Sequence, residues 1–219
     1  MTVIWDGVRR AKIFKDDERA CRHQLANAVR NYRWNDVLKL LAERSDLINT
    51  TRPDGSSLYA PLHQAAHGGA PLKVVELMLE LGAWRTLRNA RGESAVDVAW
   101  KHKHFHLLPA LRPRYKHHVP SDLVSQIQKN FHDVIRSRVN ELVEEHQLRL
   151  PELAPLLELE EPEMWFAVPG MYGGFHYWLE PDGYNTRLIF ESWCRVVQGS
   201  GERHEITLLS SRLVKVEFA

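Results

Sequence analysis

Four ionisable side chains near the C-terminus are the residues of this sequence most suited to chemistry. They are His176, Glu191, Arg195 and His204, and each falls in a stretch where polar and apolar residues alternate. A histidine beside a carboxylate can transfer protons, and the same group of side chains can bind a polar ligand. One hypothesis is therefore a pocket formed by all four. The alternative is a solvent-exposed ladder of cross-strand charge pairs, because a slip of one residue in strand register would exchange the two faces.

A cysteine nucleophile and a histidine metal site are two further candidates. Cys194 could act as a nucleophile with His204 as its base, but its predicted strand neighbours are apolar, which favours a buried and inert thiol. The second candidate is a group of closely spaced histidines, namely His102, His104, His106, His117 and His118. The alternating histidines of residues 102–106 would not share a helix face, and no nearby cysteine or carboxylate completes a set of metal ligands. We therefore expect surface histidines, with no metal site and no bound cofactor.

The elements that must position these side chains form an α+β domain. Apolar residues recur at three- and four-residue steps from Val124 to Val143, which predicts a long amphipathic helix over residues 121–147. From Met164 the period becomes two, which predicts strands over residues 164–168, 175–180, 187–197, 202–209 and 213–218. A tight hairpin turn is predicted at residues 198–201. This order of elements is similar to that of cystatin-like and nuclear-transport-factor-like folds, in which a long helix lies in a curved sheet.

The first half of the chain contains a different pattern, a repeated motif. Residues 60–68 read Ala-Pro-Leu-His-Gln-Ala-Ala-His-Gly, follow an Asp-Gly turn at Asp54, and precede an apolar helical stretch that ends at Gly82. Pro61 can begin a helix because its missing N–H would be unpaired there, and Gly82 can adopt the left-handed conformation that closes one. The motif resembles the ankyrin repeat, whose signature is Thr-Pro-Leu-His-x-Ala-Ala.

Two further copies flank this motif. Ala28 and Ala99 stand in the place of Ala65. Ala28 lies 37 residues before Ala65, and Ala99 lies 34 residues after it, which is close to the family period of roughly 33 residues. The outer copies depart more from the pattern, as expected of end caps, which need polar outer surfaces. The resemblance implies three repeats over residues 22–112, whose alanine-faced helices stack closely. We thus predict a mainly α ankyrin-repeat solenoid followed by the α+β domain, with an N-terminal extension at residues 1–21, a linker at residues 113–120 and the second domain at residues 121–219.

The resemblance also implies where a partner would bind. In this family, binding residues usually lie on the turn tips and on the exposed side of the first helices, and the histidine at the place of His63 usually hydrogen-bonds the neighbouring turn. An inserted turn bearing Leu58 and Tyr59 could anchor an interface, or could fold back as ordinary packing. By position, the predicted partner-binding residues are Asn27, Asn31, Arg52, Asp54, Leu58, Tyr59, Gln64, His67, Arg91, Glu93 and Lys101.

Composition limits the classes of function. The 29 Lys and Arg residues nearly balance 28 Asp and Glu residues, giving a net charge of +1, which argues against a general nucleic-acid binder. The two cysteines form no Cys-x-x-Cys pattern, which favours the reducing cytoplasm. Neither a signal peptide nor a membrane-spanning stretch is expected.

Two functions are compatible with these patterns. In the first, the chain is a cytoplasmic protein-binding module, such as an adaptor, an inhibitor or an immunity-type protein, in which the repeats and the C-terminal domain together hold a protein partner. In the alternative, the C-terminal domain is an enzyme or a small-ligand-binding module with the His/Glu/Arg pocket, and the repeats target it.

Overall fold

The computed structural model describes residues 2–194 and 200–218. The chain forms two compact units. One unit is Arg9–Arg114, and the other combines Tyr115–Ala219 with the short N-terminal segment Met1–Val8. The N-terminal segment of the chain thus belongs with the C-terminal half.

The first unit is helical, and its helices are paired along the chain. Their bounds are α1 Asp16–Arg30, α2 Trp34–Glu43, α3 Pro61–Gly68, α4 Leu72–Glu80, α5 Ala95–Lys101 and α6 Leu108–Leu111. Helix α3 contacts both α1 and α5, and α4 contacts α2 and α6. Ala28, Ala65 and Ala99 lie on α1, α3 and α5, and each is at most 1% exposed in one shared apolar core. Their small side chains allow the neighbouring helices to approach closely.

The predicted mainly α ankyrin-repeat solenoid is wrong as a description of this fold. The helices of the first unit do not recur as equal units, because they contain 15, 10, 8, 9, 7 and 4 residues in chain order. The last one is short because Pro109 lies in its first turn and Pro113 follows its end. Within the described residues, the chain has seven α-helices followed by a five-stranded antiparallel sheet, which is an α+β arrangement.

The second unit contains the sheet that the periodicity predicted and a long helix that, unlike the single predicted one, is kinked at Val139, where the backbone is not helical. Helix α7, Ser121–His146, ends where Gln147 takes a left-handed conformation with φ of 49°. The strands are β1 Glu163–Val168, β2 Gly173–Glu180, β3 Arg187–Cys194, β4 Ser200–Ile206 and β5 Ser211–Phe218, in sheet order β1-β2-β3-β4-β5. Phe131 of α7 packs between Tyr177 and Phe190, with ring centroids 5.2 Å away in each case. One face of the sheet is therefore covered by α7, and the other is solvent-facing.

The register differs from prediction at the hairpin between β3 and β4. Cys194 pairs with Ser200 and Trp193 with Gly201. Residues 195–199, on which the rest of the predicted turn and the end of the predicted strand fall, lie outside the described residues. Ser200 and Gly201 were predicted as turn residues, but they are the first residues of β4. Glycine signals alone misplaced the turn, because cross-strand pairing of the flanking residues decides where the strands begin.

Candidate functional site

A cleft in the first unit runs across the exposed sides of α1, α3 and α5. It consists of two adjoining concavities, of about 160 Å³ and about 680 Å³, which share Arg30, Ser57, Tyr59 and Gln64. We call this surface the basic cleft. Its lining residues are Arg22, Leu25, Ala26, Val29, Arg30, Tyr32, Thr50, Thr51, Arg52, Ser56, Ser57, Tyr59, Pro61, Gln64, His67, Ala90, Arg91, Lys101 and His102.

Tyr59 lines both concavities. Its ring lies against α3, with centroids 5.5 Å from the ring of His63 and 6.1 Å from the ring of His67. The preceding residue, Leu58, has a positive φ of 54° and is half-buried, so the turn is held in a conformation that aliphatic residues rarely adopt. The Tyr59 side chain thus packs against α3 and still presents one side of its ring to the cleft.

Backbone-binding side chains hold the turn that borders the cleft on the α5 side. The nitrogens of His63 bridge two segments: Nδ1 accepts a 3.3 Å hydrogen bond from the Ala60 N–H, and Nε2 lies 3.2 Å from the carbonyl oxygen of Glu93. Oδ1 of the buried Asn89 accepts from the N–H groups of Arg91, at 2.8 Å, and Glu93, at 3.0 Å. The turn that carries Arg91 is therefore anchored from both ends.

The cations of the cleft differ in how far they are already paired. Arg22 donates to Glu18 at 2.6 Å, and Lys101 Nζ lies 2.9 Å from Glu93. Arg52 donates to the neutral side chain of Asn27 at 2.9 Å. Burial raises the pKa of Glu18, but hydrogen bonds from Arg44 and Arg22 outweigh that effect and hold the pKa below its usual range. Arg22 is therefore largely compensated, whereas Arg52 keeps its charge available.

Two histidines meet in the larger concavity. The ring centroids of His67 and His102 are 4.2 Å apart, and the Tyr32 hydroxyl lies 2.9 Å from Nδ1 of His67. The Tyr32 ring lies flat against Gly68, where an added Cβ would come within 2.4 Å of it, so a side chain at position 68 would push the ring away. Burial, followed by the nearby His102 and His104, lowers the pKa of His67. The His67 ring is therefore mostly neutral at neutral pH.

The predicted partner-binding residues divide into two groups. Six of them line the basic cleft: Arg52, Tyr59, Gln64, His67, Arg91 and Lys101. The other five support it or lie beside it: Asn27, Asn31, Asp54, Leu58 and Glu93. Asn31 caps α1 by donating to the Asn27 carbonyl at 2.8 Å, and Asp54 accepts from the Ala11 N–H at 3.1 Å, which ties the turn to the segment before α1.

Sequence reasoning did not identify several of the residues that line the cleft. Arg22 and Thr50 belong to no turn tip of the motif, and His102 was considered only as a metal ligand. The concave surface depends on how three separate helices and turns come together, and no local pattern in the sequence reports that.

A second, smaller concavity lies on the solvent-facing side of the sheet. The strand register places Trp165, His176, Glu191, Arg203 and Lys215 in one row across all five strands. The concavity, of about 210 Å³, is lined by this row together with Ser192, Trp193, Gly201 and Glu202. Arg203 Nη1 lies 3.4 Å from Glu191, and His176 Nε2 lies 3.5 Å from Glu163. His176 and Glu191 are therefore brought together by the sheet.

His204, a third residue of the hypothetical pocket, does not join them. Arg195 lies outside the described residues. His204 lies on the opposite face, where its ring stacks on Phe190 with centroids 4.7 Å apart and its Nε2 lies 2.8 Å from Glu202. Burial, followed by the charge of Arg138, lowers the pKa of His204. The sheet thus separates the two histidines by its full thickness.

Charge pairs continue along the solvent-facing side. Arg187 contacts Glu180 at 2.5 Å and Glu205 at 3.2 Å, and Arg212 contacts Glu205 at 3.1 Å. These contacts form the cross-strand ladder that was the alternative to a pocket. Exposed ion pairs of this kind contribute roughly 0–1 kcal/mol each, so the ladder adds little to the stability of the sheet.

Cys194, His104 and His106 each contact a backbone carbonyl group elsewhere in the chain. Cys194 Sγ donates to the Met171 carbonyl oxygen at 3.0 Å. His104 Nδ1 lies 2.8 Å from the Ala66 carbonyl oxygen, and His106 Nε2 lies 3.2 Å from that of Ala70, so both histidines bind the chain before α4. Within residues 2–194 and 200–218, no three His, Cys, Asp or Glu side chains are grouped to hold a metal ion.

Comparisons with known proteins add little to this geometry. No family model matches the chain, and no curated protein matches it. Among solved structures, it is similar to a chain from the complex of a predatory endopeptidase of Bdellovibrio bacteriovorus with an immunity protein. The identity is 21% over 60% of this chain and 70% of the other, with a TM-score of 0.36. A likeness at that score carries no argument about function. In the described parts of the chain, no helix has the length and apolar character needed to cross a bilayer.

Proposed function

We propose that this chain is a protein-binding module and that the basic cleft holds part of a protein partner. The observation that carries the proposal is the cleft itself. It is continuous across three helices, its floor includes the buried residues Leu25, Val29 and Pro61, and an aromatic side chain stands at its centre. Protein interfaces concentrate their binding energy in aromatic and arginine side chains surrounded by such walls.

The cleft is suited to this role because its frame is rigid. Tyr59 rests on α3, and the Arg91 turn is held by Asn89 and His63. A preformed surface loses little conformational entropy when a partner binds. An adaptor, an inhibitor and an immunity-type protein would each work in this way, because each needs only a complementary surface. The proposed setting is the cytoplasm, where Cys21 and Cys194 would stay free thiols.

The proposal is tested by crosslinking from inside the cleft, followed by affinity measurement. A photo-crosslinking amino acid at Gln64 should trap one partner in the cells of origin, and the same group at the exposed Trp100 should not. The partner would then be purified and titrated by calorimetry against wild type, Tyr59→Ala with Gln64→Ala, and Trp100→Ala. Losing one interface anchor costs about 2 kcal/mol, so the double variant should bind at least roughly 30-fold more weakly.

Two results would contradict the proposal. One is a partner that crosslinks equally well from Gln64 and Trp100. The other is an affinity unchanged in the double variant while its circular dichroism and thermal midpoint match wild type. Because Tyr59 is partly buried, Arg91→Glu serves as a second variant at an exposed position of the cleft.

A further inference from the structure

We infer, on the basis of the proposed function, that the segment held in the basic cleft is acidic. The cleft is lined by five permanent cations, Arg22, Arg30, Arg52, Arg91 and Lys101. No Asp or Glu occurs among the described residues that line either concavity. This one-sided lining stands out in a chain whose net charge is only +1.

The carboxylates nearest the cleft are already engaged. Glu18 is bound by Arg22 and Arg44, and Glu93 by Asn89 and Lys101. Arg30, Arg52 and Arg91 form no ion pair with any residue that the structure describes, although Arg52 is oriented by its hydrogen bond to Asn27. Arg30 and Arg52 thus face the cleft with their charge uncompensated, and Arg91 makes no direct pair but lies close enough to Glu93 to help lower its pKa. Guanidinium groups bind carboxylates through two parallel N–H donors, which gives geometric selectivity as well as attraction.

The positions of these arginines indicate the form of the ligand. Arg52 lines the smaller concavity, Arg91 lines the larger one, and Arg30 lines both. Tyr59 and Gln64 lie along the same path and offer an aromatic surface and an amide. An extended peptide segment with spaced Asp or Glu residues would contact all three arginines in turn. Contacts of its aliphatic and aromatic side chains with Tyr59 would favour such a segment over a bare polyanion.

The inference is tested by peptide selection on the full chain. A phage library of random dodecapeptides would be selected against wild type at physiological salt, and the net charge of the enriched peptides would be counted. Enriched peptides should be acidic, and the affinity of the best one, measured by fluorescence anisotropy, should fall as salt increases. Arg30→Glu with Arg91→Glu should weaken it by at least about tenfold. Lys39→Glu with Lys129→Glu changes net charge equally at exposed positions outside the cleft and should leave it within about twofold.

The outcomes separate the two proposals. Enriched peptides that are neutral or basic, or that bind the Arg30/Arg91 variant normally, overturn the acidic segment and leave a protein-binding cleft standing. Enrichment of no peptide by wild type over Tyr59→Ala overturns both. A single-stranded oligonucleotide that binds more tightly than the best peptide, and is released by the same charge reversal, assigns the cleft to nucleic acid and overturns the acidic segment.

Discussion

His67 is the ionisable residue at the centre of the basic cleft, and its surroundings decide its charge. It faces Tyr32, Tyr59, His102 and His104, and no carboxylate is among these neighbours. Burial and the neighbouring imidazoles lower its pKa below the ordinary 6.5. At neutral pH the His67 ring is therefore mostly neutral, and the permanent charge of the cleft comes from its arginines and its lysine.

We expect an NMR titration of the His67 ring to give a pKa below 6.5. The unfolded chain then binds the proton before the folded chain does. The contribution of His67 to stability is present above pH 6.5 and is lost as pH falls from 6.5 through the lower folded pKa. His102→Gln should raise the pKa of His67 only in part, because burial is the larger cause. A His67 pKa at or above 6.5 in the wild type would contradict this account.

Helix α3 is the element that joins the others in the first unit. It contacts α1 on one side and α5 on the other, and Ala65 and Ala66 are fully buried between them. The Gly69 residue that ends α3 has φ of 61°, and the His104 ring lies within 2.7 Å of where its Cβ would be. Small residues on the inner side of α3 are thus what allow the exposed sides of three helices to form one surface.

Ala65→Leu should destabilise the chain by about 1–3 kcal/mol, because the larger side chain must displace a neighbouring helix. Urea unfolding monitored by circular dichroism measures this loss. Ala42→Leu adds the same side chain at an exposed position of α2 and should change stability by at most about 0.5 kcal/mol. Equal effects of the two substitutions would mean that α3 has room at Ala65 for a larger residue.

At the scale of the whole molecule, the two compact units are not two consecutive segments of sequence. Trp165 of β1 pairs with the N-terminal segment through its N–H to Val3 and through its carbonyl oxygen to the Trp5 N–H, both at 2.8 Å. Trp5 is 2% exposed and donates its indole N–H to the Arg149 carbonyl oxygen at 2.9 Å. The segment thus covers the β1 edge of the sheet, which would otherwise be open for pairing with another chain.

Trp5→Ala should cost about 3–5 kcal/mol, and the loss should appear in the unit that contains the sheet. Hydrogen exchange followed by mass spectrometry should show weaker protection in residues 163–194, with protection of α1–α5 preserved. Trp100→Ala, which removes a tryptophan that is 65% exposed, is the matched control and should change neither. If protection were lost mainly in the helical unit, the N-terminal segment would stabilise that unit and not the sheet, which would contradict the prediction.

The sequence by itself determined the elements that depend on local periodicity. Helix α7 and the five strands appear close to their predicted positions, because a period of 3.6 or 2 is visible within a few residues. The alanines at 28, 65 and 99 were also recognisable as core positions. The predicted repeat solenoid was wrong, because the helices of the first unit do not recur as equal units. The partner-binding residues were predicted from their positions in the motif alone.

Only the tertiary structure decided which side chains share a surface. It placed His176 and His204 on opposite faces of the sheet, paired the N-terminal segment with β1, and gathered cations from α1, α5 and two turns into one cleft. These outcomes depend on strand register and on contacts between residues far apart in sequence. A change of one residue in register alters every such neighbour while leaving the local pattern of the sequence the same.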